Sequence, residues 1–254
     1  MPSMGRRRIR VIREGRPSPA TMDTAISRAI LSLVAERAEP ETLRLHRPGP
    51  IVAFGPKDRL APGYPKAIAA AAARGFGSVQ RLAGGRAAVF HEQTIAFSWA
   101  IPDEVPREGI RRRFEELAAI MVDAFRTLGV DARVGQVPGE YCPGEHSVNA
   151  RGATKLMGVG QRVVARAAHV GGVIVVGGSD RVRDVLLPVY EALDLQWDPA
   201  TAGSLQDEVP TLAWDDVAEA ITEQFANRYD LEDGVLAEET LALAAELAPG
   251  FAAG

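Results

Sequence analysis

A chain of 254 residues, 46% hydrophobic and 24% charged, has the size of one large domain whose core needs neither disulfide nor metal to hold it. Its net charge of −4 argues against a nucleic-acid binder, and no apolar run is long enough to span a bilayer. The one cysteine, Cys142, excludes an internal disulfide and favours a reducing compartment, so a cytoplasmic location is expected.

The N-terminus is basic through Arg6, Arg7, Arg8, Arg10 and Arg13, but no apolar stretch follows as in a secretory signal. It reads as a solvated first strand or tail, with a phosphate or acidic-partner contact as the alternative. Ile9–Ile12 forms a short strand, then Gly15, Pro17 and Pro19 punctuate a loop. From Thr21 the residues Ala25, Ile26, Ala29, Ile30, Leu33 and Val34 recur at helical spacing until Pro40. Leu43–Arg47 and Ile51–Phe54 read as two strands around an Arg47-Pro48-Gly49-Pro50 turn. An alanine-rich helix, Ala67–Arg74, precedes three strands at Ser78–Leu82, Ala87–His91 and Thr94–Ile101. The next helix carries Ile110, Phe114, Leu117, Met121, Phe125 and Leu128 on one stripe, with Arg111, Arg112, Arg113, Glu115 and Glu116 facing elsewhere. Gln136–Val148 is a long loop rich in Gly and Pro, a kind often functional. Strands at Lys155–Arg166 and Ala168–Val176 follow, then helices near Val182–Leu193, Trp214–Tyr229 and Glu238–Leu247. Strands interleaved irregularly with helices predict an α+β fold, a mixed β-sheet packed with helices. A single domain over 1–254 is expected, with a short helical C-terminal extension from about 205.

Three constellations carry chemistry. In Arg81-Leu82-Ala83-Gly84-Gly85-Arg86 two adjacent glycines between strands serve either a tight hairpin or the close approach of backbone to a ligand. In Gly139-Glu140-Tyr141-Cys142-Pro143-Gly144 the cysteine sits in a loop that is not apolar, unlike most structural cysteines, though a small inert thiol is the competing reading. In Lys155-Leu156-Met157-Gly158-Val159-Gly160-Gln161-Arg162 a lysine at a strand start precedes two spaced glycines, either pointing an ammonium into a pocket or lying on an edge strand.

Taken in order, these residues resemble a known superfamily. A Gly-Gly turn preceded by arginine and followed by Val89-Phe90-His91-Glu92, then Lys155-Leu156-x-Gly158-x-x-Gln161-Arg162, is similar to lipoate-protein ligases and octanoyltransferases. The resemblance runs from roughly Thr21 to Ala226 and implies the biotin/lipoate protein ligase catalytic-domain fold. The Cys142 loop resembles the branch that moves octanoyl groups from the glycine-cleavage H protein to other lipoyl domains. In that branch the matching cysteine carries the acyl group. Ligases that use ATP show three glycines in the turn, where this chain has Arg86 as the third. Biotin-protein ligases show a Gly-Arg-Gly-Arg-like signature, where this chain has Ala83-Gly84-Gly85-Arg86.

The resemblance implies an acyltransferase with Cys142 as nucleophile and Lys155 as its charged neighbour. Arg81, Gly84, Gly85, Val89, His91, Gly158 and Gly160 are the expected substrate-binding residues, and Val89, Phe90, Met157 and Val159 the walls of an apolar slot. His146 is a candidate base, whereas His46 and His169 are expected in ordinary strand positions. No Cys/His set has zinc-ligand spacing, so no metal site is expected. No cofactor is expected either, ATP and Mg²⁺ entering only if the protein is a ligase. The implied partners are lipoyl-domain proteins, such as glycine-cleavage H protein or 2-oxoacid dehydrogenase E2 subunits, and acyl carrier protein. No nucleic acid or membrane is expected, and a monomer is favoured. The competing functions are an ATP-dependent lipoate-protein ligase making an acyl-adenylate, and a non-catalytic acyl-binding protein of the same fold.

Overall fold

The computed structural model describes residues 6–254. In chain order it contains β1 (Arg8–Ile12), α1 (Met22–Ala35), β2 (Thr42–His46), β3 (Ile51–Phe54), α2 (Tyr64–Ala72), β4 (Gly77–Gln80), β5 (Ala88–Phe90), β6 (Thr94–Pro102) and α3 (Ile110–Thr127). There follow β7 (Ala132–Val134), β8 (Val148–Ala150), β9 (Thr154–Val164), β10 (Ala167–Val175), α4 (Ser179–Ala192), α5 (Leu205–Glu208), α6 (Trp214–Ala226), β11 (Asp230–Gly234) and α7 (Glu238–Leu247).

Eight strands form one sheet in the order β11-β1-β2-β6-β10-β9-β8-β7. β1 runs parallel to both β11 and β2, and the other neighbours are antiparallel, so the sheet is mixed. Alternation along each strand divides its side chains between two faces. Leu43, Leu45, Phe97 and Trp99 point to one face and pack with Leu117, Met121 and Phe125 of α3 and Ile221 and Phe225 of α6. The intervening residues of β2 and β6 point to the other face, where α1 lies with α7 against it. The smaller sheet, β4-β3-β5, joins α2 and α4 in a second apolar cluster around Phe54, Val89 and Tyr190.

Several expectations change in detail. β2 and β3 do not pair across the Pro48-Gly49 turn, because β2 joins the large sheet and β3 the small one. β4 and β5 are not a hairpin around Gly84-Gly85; each pairs with β3, which lies between them. That separation makes residues 81–87 a crossing loop with freedom to reach a site. Arg113, expected off the buried stripe, is buried and donates to Asp103 Oδ2 (2.6 Å) and Gln161 Oε1 (2.8 Å). The stretch from about 205 contains α5, α6 and α7, of which α6 packs into the main core, and also supplies β11, which the sequence reading missed. β11 is acidic, and it meets the basic β1: Arg8 pairs with Glu232 (3.1 Å) and Arg13 with Asp233 (2.6 Å). Among the described residues no helix is long and apolar enough to cross a membrane.

Candidate active site

The long loop between β7 and β8 folds around one buried carboxylate. Glu140 Oε1 accepts hydrogen bonds from Ser147 Oγ (2.8 Å), the Gly144 amide (3.2 Å) and Lys155 Nζ (3.0 Å), and Oε2 accepts from the Val137 amide (3.0 Å). Such satisfaction is what permits a charge to be buried. Lys155, projecting from β9 and only 1% exposed, spends its remaining two donors on the carbonyls of Tyr141 (3.0 Å) and Cys142 (2.7 Å). The ion pair therefore clamps the loop on both sides of the thiol.

Cys142 has a left-handed backbone, φ +43°, which a non-glycine residue adopts only when its surroundings hold it. Its amide donates to Tyr190 Oη (3.0 Å), and that hydroxyl donates to the Ala87 carbonyl (3.0 Å), tying α4 to both site loops. Sγ accepts from Arg81 Nη1 (3.3 Å) and from the Arg86 amide (3.2 Å). Gly85, at φ +117°, passes directly over the sulfur; a Cβ there would sit 3.0 Å from Sγ and 2.5 Å from Arg81 Nη1. Beneath this loop Asp58, fully buried, accepts from Arg86 Nη1 (3.1 Å) and the Gly55 amide (2.8 Å), fixing the turn that presents the Arg86 amide.

These contacts set the direction in which the thiol pKa moves. Burial raises its pKa, but the Arg81 and Lys155 charges, with hydrogen bonds from the Arg86 amide and Arg81, outweigh burial and leave it below the ordinary thiol value. Burial likewise lowers the Lys155 pKa, against the opposing pull of Cys142 and Glu140. Burial pushes the Tyr190 hydroxyl well up, so it remains a proton donor. The arrangement holds a thiol of lowered pKa beside a cluster of N–H donors, groups that can serve acyl transfer.

Three spaces meet here. A cavity of about 300 Å³ opens at Cys142 and is bounded by Arg81, Gly84, Gly85, Phe90, Val159 and Lys155. A chamber of about 90 Å³ adjoins it across Arg81, Phe90 and Gly172. On the other side of the thiol a recess of about 650 Å³ lies against Lys57, Arg86, Pro143 and Tyr190.

Of the residues singled out in the sequence, Cys142, Lys155, Arg81, Gly84, Gly85, Gly158 and Gly160 all border the 300 Å³ cavity. Val89 and His91 do not. In β5 it is Ala88 and Phe90 that face the cavity, so Val89 points the opposite way into the cluster with Tyr190. His91 is buried beside Gly178, with Nδ1 accepting from the Gln93 amide (3.2 Å). Of the remaining expected walls, Phe90 and Val159 face the cavity, while Met157 belongs to the core under α3. His146 stacks on Phe114 at 4.8 Å and makes no hydrogen bond to the thiol, whose partners are Arg81 and Arg86. His46 and His169, expected to be ordinary, both line the chamber. The sequence reading missed Glu140 and Tyr190 as organisers. Glu140 carried a signal, an acidic residue two positions from the cysteine, whereas Tyr190 lies 48 residues away with none. Among the described residues no group of three or more His, Cys, Asp or Glu is placed to hold a metal ion.

Residues 19–226 match the family described as lipoyl protein ligase A/B catalytic domain. A curated relative from Oceanobacillus iheyensis, named octanoyl-[GcvH]:protein N-octanoyltransferase, is 25% identical over 178 residues, which are 70% of this chain and 63% of the relative. A second of the same name, from an Exiguobacterium species, is 26% identical over 168 residues, or 61% of this chain and 59% of the relative. The chain thus spans less than two thirds of the length of these relatives. Their name is that of the transferase branch which the Cys142 loop resembles. Among solved structures, lipoate-protein ligase A bound with ATP superposes with a TM-score of 0.73 at 18% identity, covering 94% of each chain. A bi-partite lipoate protein ligase from Thermoplasma acidophilum gives 0.73 at 19%, covering 96% of this chain and 92% of that one. At such identities the likeness is one of fold, and the fold is the α+β catalytic-domain architecture expected from the sequence.

Proposed function

This chain belongs to the lipoyl protein ligase A/B catalytic-domain family, and from that premise we propose that it is an acyltransferase moving an octanoyl or lipoyl group to a lysine of a lipoyl domain through a thioester on Cys142. The observation that carries this reading is the thiol itself, held by Arg81 Nη1 and the Arg86 amide and brought below the ordinary thiol pKa. A protein that merely binds an acyl group, or one that makes an acyl-adenylate, has no use for an activated sulfur at the mouth of its cavity.

In this reading the Cys142 thiolate attacks the carbonyl carbon of a donor, either a thioester on a carrier or an amide on a lipoyl domain. The C–S bond to Cys142 forms, and the bond to the carrier sulfur or lysine nitrogen breaks. The departing group takes a proton, for which Lys155, its pKa lowered by burial, is the proposed source. The Arg86 amide and Arg81 stabilise the oxyanion between the two states. The amine of the acceptor lysine then attacks the thioester, its C–N bond forming as the C–S bond breaks; it gives its proton back to Lys155 and Cys142 returns to its thiolate. The relatives' names join the octanoyl group to GcvH, and a GcvH-like lipoyl domain is the partner proposed here. The acyl chain lies in the 300 Å³ cavity and the adjoining chamber, and burial of an eight-carbon chain contributes about 5 kcal/mol of binding at ~0.8 kcal/mol per CH₂. Donor and acceptor arms reach the thiol through the larger recess. No ATP or Mg²⁺ enters these steps.

The test is intact-protein mass after incubation with octanoyl-carrier protein in the absence of ATP. Wild type is expected to gain one octanoyl group and Cys142→Ala none, with transfer to a lipoyl domain falling by about 10³-fold or more, as on removing a catalytic nucleophile. Wild type that gains no adduct yet modifies the domain once octanoate, ATP and Mg²⁺ are supplied is a ligase, and the thioester reading fails.

A further inference from the structure

The loop that joins β3 to α2 stands at the rim of the recess beside the thiol, and both of its ends are pinned. At Gly55 a Cβ would lie 1.7 Å from the Gly85 carbonyl oxygen, so the loop begins pressed against the turn that passes over the sulfur. At Gly63 a Cβ would lie 1.6 Å from the Ala192 carbonyl oxygen, so the loop ends pressed against the last turn of α4. Between these points the buried Asp58 carboxylate holds the Gly55 amide and Arg86, and Arg59 donates to Gln80 Oε1 (2.8 Å). The Asp58 amide donates to the Gly55 carbonyl and the Ala61 amide to the Asp58 carbonyl, both at 3.0 Å, closing two successive turns.

This pinned loop displays a side chain that a folded protein ordinarily covers. Leu60, at its crest, is 85% exposed, more than any other large apolar side chain among the described residues. On one flank Pro56 and Lys57 border the 650 Å³ recess. On the other, Pro62 and Lys66 border a groove of about 560 Å³ whose opposite wall is Pro188 and Glu191 of α4. Leu187, also exposed, lies one turn before Glu191 on the same face of that helix. The charge on the crest is one-sided. Asp58 is spent on Arg86 and Glu140 on Lys155, whereas Lys57 and Lys66, both exposed, have no ion pair among the described residues. An apolar side chain held on a rigid loop costs little further ordering when it is covered, which suits it to anchor a partner.

We propose that this crest is the docking surface for the domain that receives the acyl group, and that the domain offers it an acidic face with an apolar spot beside the target lysine. The proposal rests on the acyl-transfer reading and on the short reach of a lysine. The amine stands on a stem of four carbons, so the backbone carrying it must come down to the mouth of the recess before the amine can meet a thioester on Cys142. A domain brought that close lies against the loop at the rim. Leu60 then packs on the apolar spot, and Lys57 and Lys66 to either side of it meet carboxylates, which fixes the orientation and speeds encounter. The chain as a whole has a net charge of −4, so a positive crest is a local feature that steers an acidic partner to one place.

Two measurements test this independently. In the first, protein acylated on Cys142 by a small thioester, octanoyl-N-acetylcysteamine, is mixed with a GcvH-type lipoyl domain, and transfer is followed by mass against domain concentration. Leu60→Asp and Lys66→Glu are expected to take up the octanoyl group at the wild-type rate, yet to need about tenfold more domain for half-maximal transfer, with the limiting rate kept. Added salt is expected to raise the half-saturating concentration of wild type and to move that of Lys66→Glu less. Val235→Ser, a change at another exposed apolar side chain beside β11 on the opposite edge of the large sheet, is expected to behave as wild type. A half-saturating concentration unmoved in Leu60→Asp overturns the proposal. The second measurement is calorimetric binding of the unacylated domain to Cys142→Ala protein, with and without Leu60→Asp. It reads docking even if no thioester forms with any donor, an outcome that would sink the transfer reading alone. Absence of binding to Cys142→Ala, or equal binding to the two proteins, overturns the docking proposal whatever the enzyme does. A dimer of the free protein that Leu60→Asp splits, seen by sedimentation, assigns the crest to a second copy of this chain and overturns it as well.

Discussion

The two ends of the cavity are both walled by buried ions, yet they are finished differently. At the thiol end Lys155 has a partner for each of its three protons, Glu140 accepts four hydrogen bonds, and the Cys142 amide and sulfur are both engaged. At the α1 end Asp23 and Arg44 are paired, but His46 and His169 keep three nitrogens unmatched. A thiol that is to act as the proposed nucleophile must be held in one geometry before substrate arrives, and its surroundings leave nothing free to turn. The α1 end is finished by packing instead, its unmatched nitrogens enclosed by their neighbours.

The most forceful way to break that contrast is to unfinish the thiol end. Lys155→Met leaves the Glu140 carboxylate buried without its cation, and breaking a buried pair this way costs about 3–5 kcal/mol. Urea unfolding is expected to show that loss, and acyl transfer to fall below detection. In the double variant Glu140→Gln, Lys155→Met the stability is expected to recover in part and the activity not at all; recovery of both would make the pair mere scaffolding. A smaller effect is expected from Arg81→Gln, which removes one charge from the sulfur together with the hydrogen bond from Arg81 Nη1 to the Arg86 carbonyl (2.7 Å). The thiol pKa should rise toward the ordinary range, so the pH profile of Cys142 alkylation moves to higher pH and the rate on its acidic limb falls. An unmoved profile would mean that Arg81 does not activate the thiol.

The smallest effect sharpens the comparison by supplying a control. His91 also has a buried ring nitrogen without a partner, but it borders neither the cavity nor the chamber. Its pKa is lowered to about 4, burial being the main cause, against an ordinary value of 6.5. Above pH 6.5 the ring is neutral in both folded and unfolded chains. As pH falls from there to about 4 the unfolded chain takes up a proton that the folded one refuses, and stability drains away. His91→Gln is expected to flatten the fall of melting temperature over that window, leaving the rate of acyl transfer untouched. A changed transfer rate would show that His91 does communicate with the cavity.

Much of this site could be read from the sequence because its signals are local. Cys142, Lys155 and the Gly84-Gly85 pair each sit in a short string whose order is informative, and the structure brings all of them to one cavity. What failed was parity and distance. On a three-residue strand such as β5 one step of register decides which side chains face the site, and Val89 falls on the wrong side of Phe90. The strands β7, β8 and β11 are too short, or too polar, to show an apolar alternation, and β11 is held by charge pairs with β1 that only the folded chain reveals. His46 and His169 looked ordinary because nothing in a strand pattern says that a buried ring will lack a partner.

The pairing of β1 with β11 has a consequence for how the molecule is made. Some 220 residues separate the two strands, so on a ribosome β1 can acquire β2 as a neighbour long before β11 exists. Throughout that interval the far side of β1 is an open edge, able to recruit a strand from a neighbouring nascent chain. Its arginines make it a poor template for another copy of itself, since like charges would face each other across the new ladder, and a good one for the acidic strand that comes last. The opposite charges of these two adjoining strands thus act during synthesis as a reservation, keeping the edge vacant until its own chain can close it.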